Sequence, residues 1–196
     1  MSIDVGKFPI ALASASPRRI DIMRSHGVEP LVVPADTDEA LPEGLNVRQA
    51  VMYLALKKAL WVENAMFRDA CGEPYIVAAD TVVYNGRVIG KPADAADAKR
   101  ILGSLRGAAH YVYTGVAILK AGEKKRKVFH EKTKVFFKNY SEKDLRDYIK
   151  SGEPFDKAGG YAIQGGFSPF IDRIEGDLDN VIGFPWKRFT LELAGL

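Results

Sequence analysis

The sequence predicts an α/β fold with a mixed sheet, and three observations carry that expectation. Short apolar, β-branched runs alternate along the chain with stretches whose apolar residues recur at helical spacing. Asn85-Gly86 separates two such runs and is a strong short-range signal for a hairpin, so part of the sheet is antiparallel. Apolar residues make up 47% of the 196 and charged residues 27%, which supports a packed core and argues against a disordered chain.

The elements follow in order. Phe8 to Ala13 reads as a short buried strand. Ser16 then suits the N-cap and Pro17 the first position of a helix that runs through Ile20, Ile22 and Met23 to a stop at Gly27. Leu31 to Val33 is a second short strand. Val47 to about Arg68 is a long helix, with apolar positions at Val51, Leu54, Ala55, Ala59 and Val62. Tyr75 to Tyr84 is a strand, and Arg87-Val88-Ile89 returns from the Asn-Gly turn. A helix from Ala93 to Leu105 begins near Pro92. Two long strands, Tyr111 to Leu119 and Val128 to Lys138, flank a basic tip. Ser141 opens a further helix with Asp144 in its first turn, Pro169 to Ile174 forms a strand, and Trp186 to Leu193 a closing helix. No repeat or composition break divides the chain. A single domain over residues 1–196 is expected, long enough for two lobes around a cleft.

Composition narrows the function class. No apolar run approaches the roughly 20 residues a membrane helix needs, so no membrane role is expected. The N-terminal residues show no basic region followed by a long apolar stretch, so a signal peptide is not expected and the reading is cytoplasmic. The lone Cys71 cannot form an internal disulfide and fits a reducing compartment; an incidental cysteine is favoured over a nucleophile. The net charge of +3 is mild. Its one cluster, Lys124 to Lys127, reads as a solvated hairpin tip, and a nucleic-acid partner is disfavoured.

Five stretches offer chemistry. Ser14-Ala15-Ser16-Pro17-Arg18-Arg19 joins a buried strand to a helix start, where free N–H groups and the positive dipole end favour an anion. Arg18 and Arg19 add planar forks suited to phosphate oxygens, although an ordinary capped helix with solvated arginines has the same pattern. Asp80 lies inside an apolar strand, where burial is costly unless it is paired, bound to metal or facing a cleft. It is the best single candidate for a general base or metal ligand, the plain alternative being a cap at a bulge. Gly90-Lys91-Pro92 places a cation beside a backbone open to close approach. Asp36-Thr37-Asp38-Glu39 reads equally as a metal-binding loop or as a helix cap. The glycine-rich stretch from Asp156 to Gly166 reads as a ligand loop, with Gln164 able to donate and accept toward a base edge. Zinc ligation, a nucleophile elbow and a GxxxxGK[ST] P-loop are all without a matching pattern. What remains is the equipment of a metal-assisted reaction on a phosphorylated ligand.

These stretches together resemble the Maf family. Leu12-Ala13-Ser14-Ala15-Ser16-Pro17-Arg18-Arg19 is similar to its signature start. Ala79-Asp80-Thr81, Gly90-Lys91-Pro92, Tyr113-Thr114-Gly115-Val116, Ser151-Gly152-Glu153-Pro154, Asp156-Lys157-Ala158-Gly159 and Asn180-Val181-Ile182-Gly183-Phe184-Pro185 follow in family order. The resemblance implies a single elongated Maf/Ham1-like (ITPase-like) domain with a twisted mixed sheet, flanking helices and a central nucleotide-binding cleft. It implies a nucleoside triphosphate substrate, a divalent metal (Mg2+ or Mn2+), Asp80 as general base, and Glu39 with Asp80 toward the metal. Ser14, Arg18, Arg19, Lys58 and Lys91 fall on its phosphate- and metal-contacting positions, with Lys58 preferred over Lys57. Arg18, Thr81 and Gln164 match the branch acting on dTTP and UTP, with CTP and modified pyrimidine nucleotides as further substrates. The alternatives are 7-methyl-GTP or another non-standard nucleotide, or a non-catalytic regulator of septum formation. A homodimer is compatible with the family. Gly165-Gly166-Phe167 departs from the family's Gly-x-Gly, and Phe167 is expected to narrow the base pocket.

Overall fold

The computed structural model describes residues 5–70 and 73–196, so Cys71 lies outside the described residues. Among the described residues the chain forms a seven-stranded mixed sheet with strands β1 (Ile10–Leu12), β2 (Leu31–Val32), β3 (Tyr75–Tyr84), β4 (Val88–Ile89), β5 (Ala109–Lys120), β6 (Arg126–Phe137) and β7 (Ile171–Glu175). The strand order is β2-β1-β3-β5-β6-β7, with β4 paired to β3. Strand β1 runs parallel to β2 and β3, while β3–β4 and β6–β7 are antiparallel. The helices are α1 (Pro17–Ser25), α2 (Val47–Met66), α3 (Ala95–Leu105), α4 (Glu142–Lys150), α5 (Leu178–Ile182) and α6 (Trp186–Ala194). None is long and apolar enough to cross a membrane.

Two compact units share the long strands. The first holds the described residues up to Asp80, Thr114–Glu131 and Gly183–Leu196; the second holds Thr81–Tyr113 and Lys132–Ile182.

The first unit has a core of small side chains. Ala11, Ala13, Ala55, Ala59, Ala78 and Ala117 pack with Val62, Ile76 and Leu119. Helix α2 buries Val51, Leu54, Ala55, Ala59 and Val62, as their spacing predicts, and a capping box between Asn46 and Gln49 starts it. Small residues allow close packing, and closest of all is Gly115 on β5. A Cβ there would stand 2.2 Å from the Val51 carbonyl oxygen of α2. The Tyr-Thr-Gly-Val stretch therefore carries a packing requirement: only glycine lets that strand pass the helix backbone.

The second unit has an aromatic core. Phe137, Tyr140, Tyr148, Tyr161 and Phe167 pack with Leu102, Leu105, Val112 and Val135. Phe167 is fully buried, with ring centroids 5.0 Å from Tyr140 and 4.7 Å from Tyr148, so it belongs to the core and does not narrow a pocket. Its apolar ring gains more from that cluster than from a wet surface.

Several element boundaries differ from the sequence reading for identifiable reasons. Asp94 accepts the Asp97 N–H at 2.8 Å and caps α3, which starts at Ala95 and not near Pro92. Arg87 sits in the turn between Tyr84 and Val88 instead of in the returning strand, since those two residues are Cα partners. Pro169 and Phe170 form part of a short 3₁₀ turn ahead of β7, and α2 ends at Met66, before Arg68. Helix α5 is too short for its periodicity to register in sequence. The basic tip is only partly a tip. Arg126 and Lys127 belong to β6, where Arg126 meets the buried Glu63 at 2.9 Å and Lys127 approaches Glu192 at 3.8 Å.

Candidate active site

In the first unit the end of β1, the start of α1, the loop before α2, α2 itself and the middle of β3 bring six of the expected residues into one charged cluster. Ser14 is buried just beyond β1. Its hydroxyl oxygen accepts the Ser16 N–H at 3.2 Å and Arg19 Nη1 at 3.0 Å. Ser16 occupies the N-cap position, yet its side chain makes no capping bond; Ser14 supplies the nearby acceptor instead. Arg19 donates through Nε to the Gly183 carbonyl at 3.0 Å, which fixes the plane of its guanidinium.

Arg19 keeps part of its surface open to water but is densely surrounded by protein. Burial pushes its guanidinium down to about 10; the negative charge of Asp80 and Glu39 pulls it up, and Arg18 adds to the lowering. It remains a cation at neutral pH. Arg18 is exposed one residue earlier in the same turn.

Asp80 stands in β3 after the buried apolar run Ile76 to Ala79 and before the half-buried Thr81, and is itself buried. The partner it requires is Lys58 of α2, whose Nζ donates to Asp80 Oδ1 at 2.6 Å and to Glu39 Oε1 at 3.1 Å. The adjacent Lys57 donates to Asp38 Oδ1 at 2.7 Å instead. Asp38 and Glu39 of the acidic loop thus pair with the two consecutive lysines of α2, and the N-cap of that helix is Asn46. Asp38 accepts the Ala40 N–H as well, and its carboxyl lies below the usual range mainly because of the Lys57 hydrogen bond. Nothing in the sequence pairs these residues, since 19 positions separate each lysine from its carboxylate.

The donor set fits a hard divalent cation. Glu39 and Asp80 both reach the same ammonium group, and Mg2+ is commonly held by one or two carboxylates with substrate phosphates completing its shell. Among the described residues no three His, Cys, Asp or Glu side chains group as metal ligands.

Thr81, Lys91 and Gln164 lie in the second unit. Thr81 is half-buried in β3, and Lys91 is exposed after β4. Gln164 is exposed on the glycine-rich loop, whose glycines answer to the protein's own packing. Gly159 has a φ of +75°, and a Cβ on it would meet Val83 Cγ2 at 2.8 Å; one on Gly165 would meet Glu153 Oε1 at 1.7 Å. The sequence reading gives those glycines to a ligand, but the side chains of Val83 and Glu153 already occupy the space beside Gly159 and Gly165. It quotes Glu153 within the Ser-Gly-Glu-Pro stretch but gives it no role, whereas Glu153 Oε2 accepts the Gly166 N–H at 2.9 Å and Oε1 accepts the Tyr148 hydroxyl at 3.3 Å. An acid directly before Pro154 at the start of a turn was the available signal.

Comparison with known proteins agrees with the motif order. Residues 9–196 match the family described as Maf-like protein. A dTTP/UTP pyrophosphatase of Pelotomaculum thermopropionicum is 47% identical over 92% of this chain and 93% of its own. The dTTP/UTP pyrophosphatases of Caldicellulosiruptor bescii and Citrifermentans bemidjiense are 40% and 46% identical, over 95% and 90% of this chain and 94% and 89% of theirs. With residues 9–196 matched and these relatives 40–47% identical along nearly all of its length, the chain belongs to the Maf family.

Proposed function

We propose that this chain hydrolyses dTTP and UTP, and with them CTP and modified pyrimidine nucleotides, to the monophosphate and pyrophosphate. The observation that carries this reading is the buried Asp80 carboxylate, held 2.6 Å from Lys58 in the same cluster as Ser14, Arg19 and Glu39. The names of the relatives support the substrate class.

In this reading Ser14, Arg18 and Arg19 take the phosphate oxygens at the start of α1, where the dipole and two cationic forks favour an anion. Asp80 accepts a proton from water as its oxygen attacks the α-phosphorus in line. The bond from that phosphorus to the α,β-bridging oxygen breaks, and pyrophosphate leaves with the electron pair. Lys58 offsets negative charge at the carboxylates and phosphates. A divalent cation held by Glu39 and Asp80 would supply Lewis-acid withdrawal of charge from the phosphate oxygens. Lys91 adds a further cation for the phosphates, while Thr81 and Gln164 meet the nucleoside, Gln164 reading the base edge.

The test measures pyrophosphate and orthophosphate release from dTTP, UTP, CTP, GTP and 7-methyl-GTP with Mg2+ or Mn2+. Pyrophosphate from dTTP and UTP is expected, falling by about 10²-fold or more in Asp80→Asn. Near-normal turnover in a folded Asp80→Asn protein would remove Asp80 as base. Turnover of 7-methyl-GTP alone would overturn the substrate class.

A further inference from the structure

A cavity of about 360 Å³ in the second unit lies between the β3–β4 turn and α3. Its floor includes Ile89 and Ile101, both part of the aromatic core cluster. Three cations line it: Arg87 from the turn, Lys91 just after β4, and Arg100 from α3. One carboxylate, Asp97, stands among them.

Asp97 is already engaged. It accepts Arg100 Nε at 3.0 Å and the Ala93 N–H at 3.2 Å. These bonds, the Arg100 one first, hold its carboxyl below the usual range, and the charge of Arg87 acts in the same direction. The lining therefore carries an excess of two positive charges in a concave site. Asp97 takes the Nε and Nη2 edge of Arg100, whose guanidinium has five N–H donors in all. Two arginines and a lysine around one cavity match the oxygen-rich, multiply charged surface of a phosphoryl group. Of these three cations, the sequence reading gives a phosphate role to Lys91 alone.

We infer that this cavity is a binding site for a phosphate or pyrophosphate group, with Arg87, Lys91 and Arg100 as its donors and Asp97 as a competing carboxylate that occupies one edge of Arg100. The site shares Lys91 with the hydrolysis reading but does not depend on turnover. The anion is either the tail of a bound nucleotide or a free phosphate or pyrophosphate ion.

The experiment titrates inorganic pyrophosphate, without nucleotide or metal, into the full chain by calorimetry. Wild type is compared with Arg87→Ala/Arg100→Ala, Asp97→Asn and Arg19→Ala. The double variant is expected to bind at least tenfold more weakly. Asp97→Asn, with one competing charge removed, is expected to bind more tightly, an opposite sign that a merely structural defect would not produce. Arg87 and Arg100 are exposed, so the double variant is expected to fold, and Arg100→Lys, which keeps the charge, is expected to recover part of the affinity. Affinity unchanged in the double variant but lost in Arg19→Ala would overturn the inference by placing the anion in the first unit alone. Absence of pyrophosphate binding at millimolar concentration would overturn it as well. If the anion is a nucleotide's tail, the double variant raises KM for dTTP and pyrophosphate competes with dTTP. If it is a free ion, the double variant loses pyrophosphate binding while KM for dTTP stays constant. Both results support the site, and neither depends on Asp80 being the base.

Discussion

Lys58 Nζ and Asp80 Oδ1 lie 2.6 Å apart with side chains only 16% and 11% exposed, so an apolar strand carries a carboxylate because a neighbouring helix answers it. Removing one member of such a pair leaves the other charge desolvated. Lys58→Met is therefore expected to cost about 2 kcal/mol, less than a fully buried pair would lose. For a chain of this size that lowers Tm by roughly 4–8 °C. Calorimetry of the variant checks it, and an unshifted Tm would show that water already screens the pair.

Base reading and turnover are expected to separate at Gln164. Exchanging its amide for a carboxylate removes a donor and adds a charge, so Gln164→Glu is expected to change the ratio of kcat/KM between dTTP and GTP more than it changes the best kcat. Glu153→Gln tests the support of that loop. Its weakened bond to the Gly166 N–H is expected to raise KM while the ranking of nucleotides holds. An unchanged substrate profile in Gln164→Glu would exclude Gln164 from base recognition.

Acid sensitivity is expected from His110. It is fully buried with Nε2 2.6 Å from the Tyr161 hydroxyl, and burial pushes its imidazole down to about 4. Between its ordinary value near 6.5 and about 4 the unfolded chain binds a proton that the folded chain does not. Stability contributed by the neutral ring is thus full above pH 6.5 and declines as pH falls toward 4, by at most about 3 kcal/mol. Urea midpoints across that window check the sign. His110→Gln, which does not titrate, is expected to flatten the slope by one proton's worth.

Gly115→Ala is expected to be among the most damaging single-methyl additions in the first unit. The added carbon would overlap the Val51 carbonyl at 2.2 Å, and a helix backbone yields less readily than a side-chain tip. Overpacking of this kind costs about 1–3 kcal/mol or more. Thermal unfolding measures it, and a loss below roughly 0.5 kcal/mol would mean that α2 can shift without strain.

The order of strands and helices was legible because each element carries its own periodicity, as with Val51, Leu54, Ala55, Ala59 and Val62 on α2. Asp80 was legible for the opposite reason, a charge breaking an apolar run. Pairings between distant segments were not. Lys57 and Lys58 are adjacent and chemically identical, and only the fold sends one to Asp38 and the other to Asp80. The glycines misled in a consistent way, because close approach by a ligand and close approach by the protein demand the same residue. Phe167 misled likewise: the loop around it is exposed and polar, while its ring turns into the core. The cavity of Arg87, Lys91 and Arg100 left no pattern, since its three cations come from a turn, a strand end and a helix.

The bond from Arg19 to the Gly183 carbonyl spans 164 positions. On the ribosome, strand β1 and helix α1 emerge long before that carbonyl exists. At about 5–20 residues per second the interval is roughly 10–30 s. A nascent chain in that interval has its first-turn arginine but not the anchor that aims it. The aimed guanidinium of the first unit is complete only late in synthesis, and that order is written into which residues hydrogen-bond.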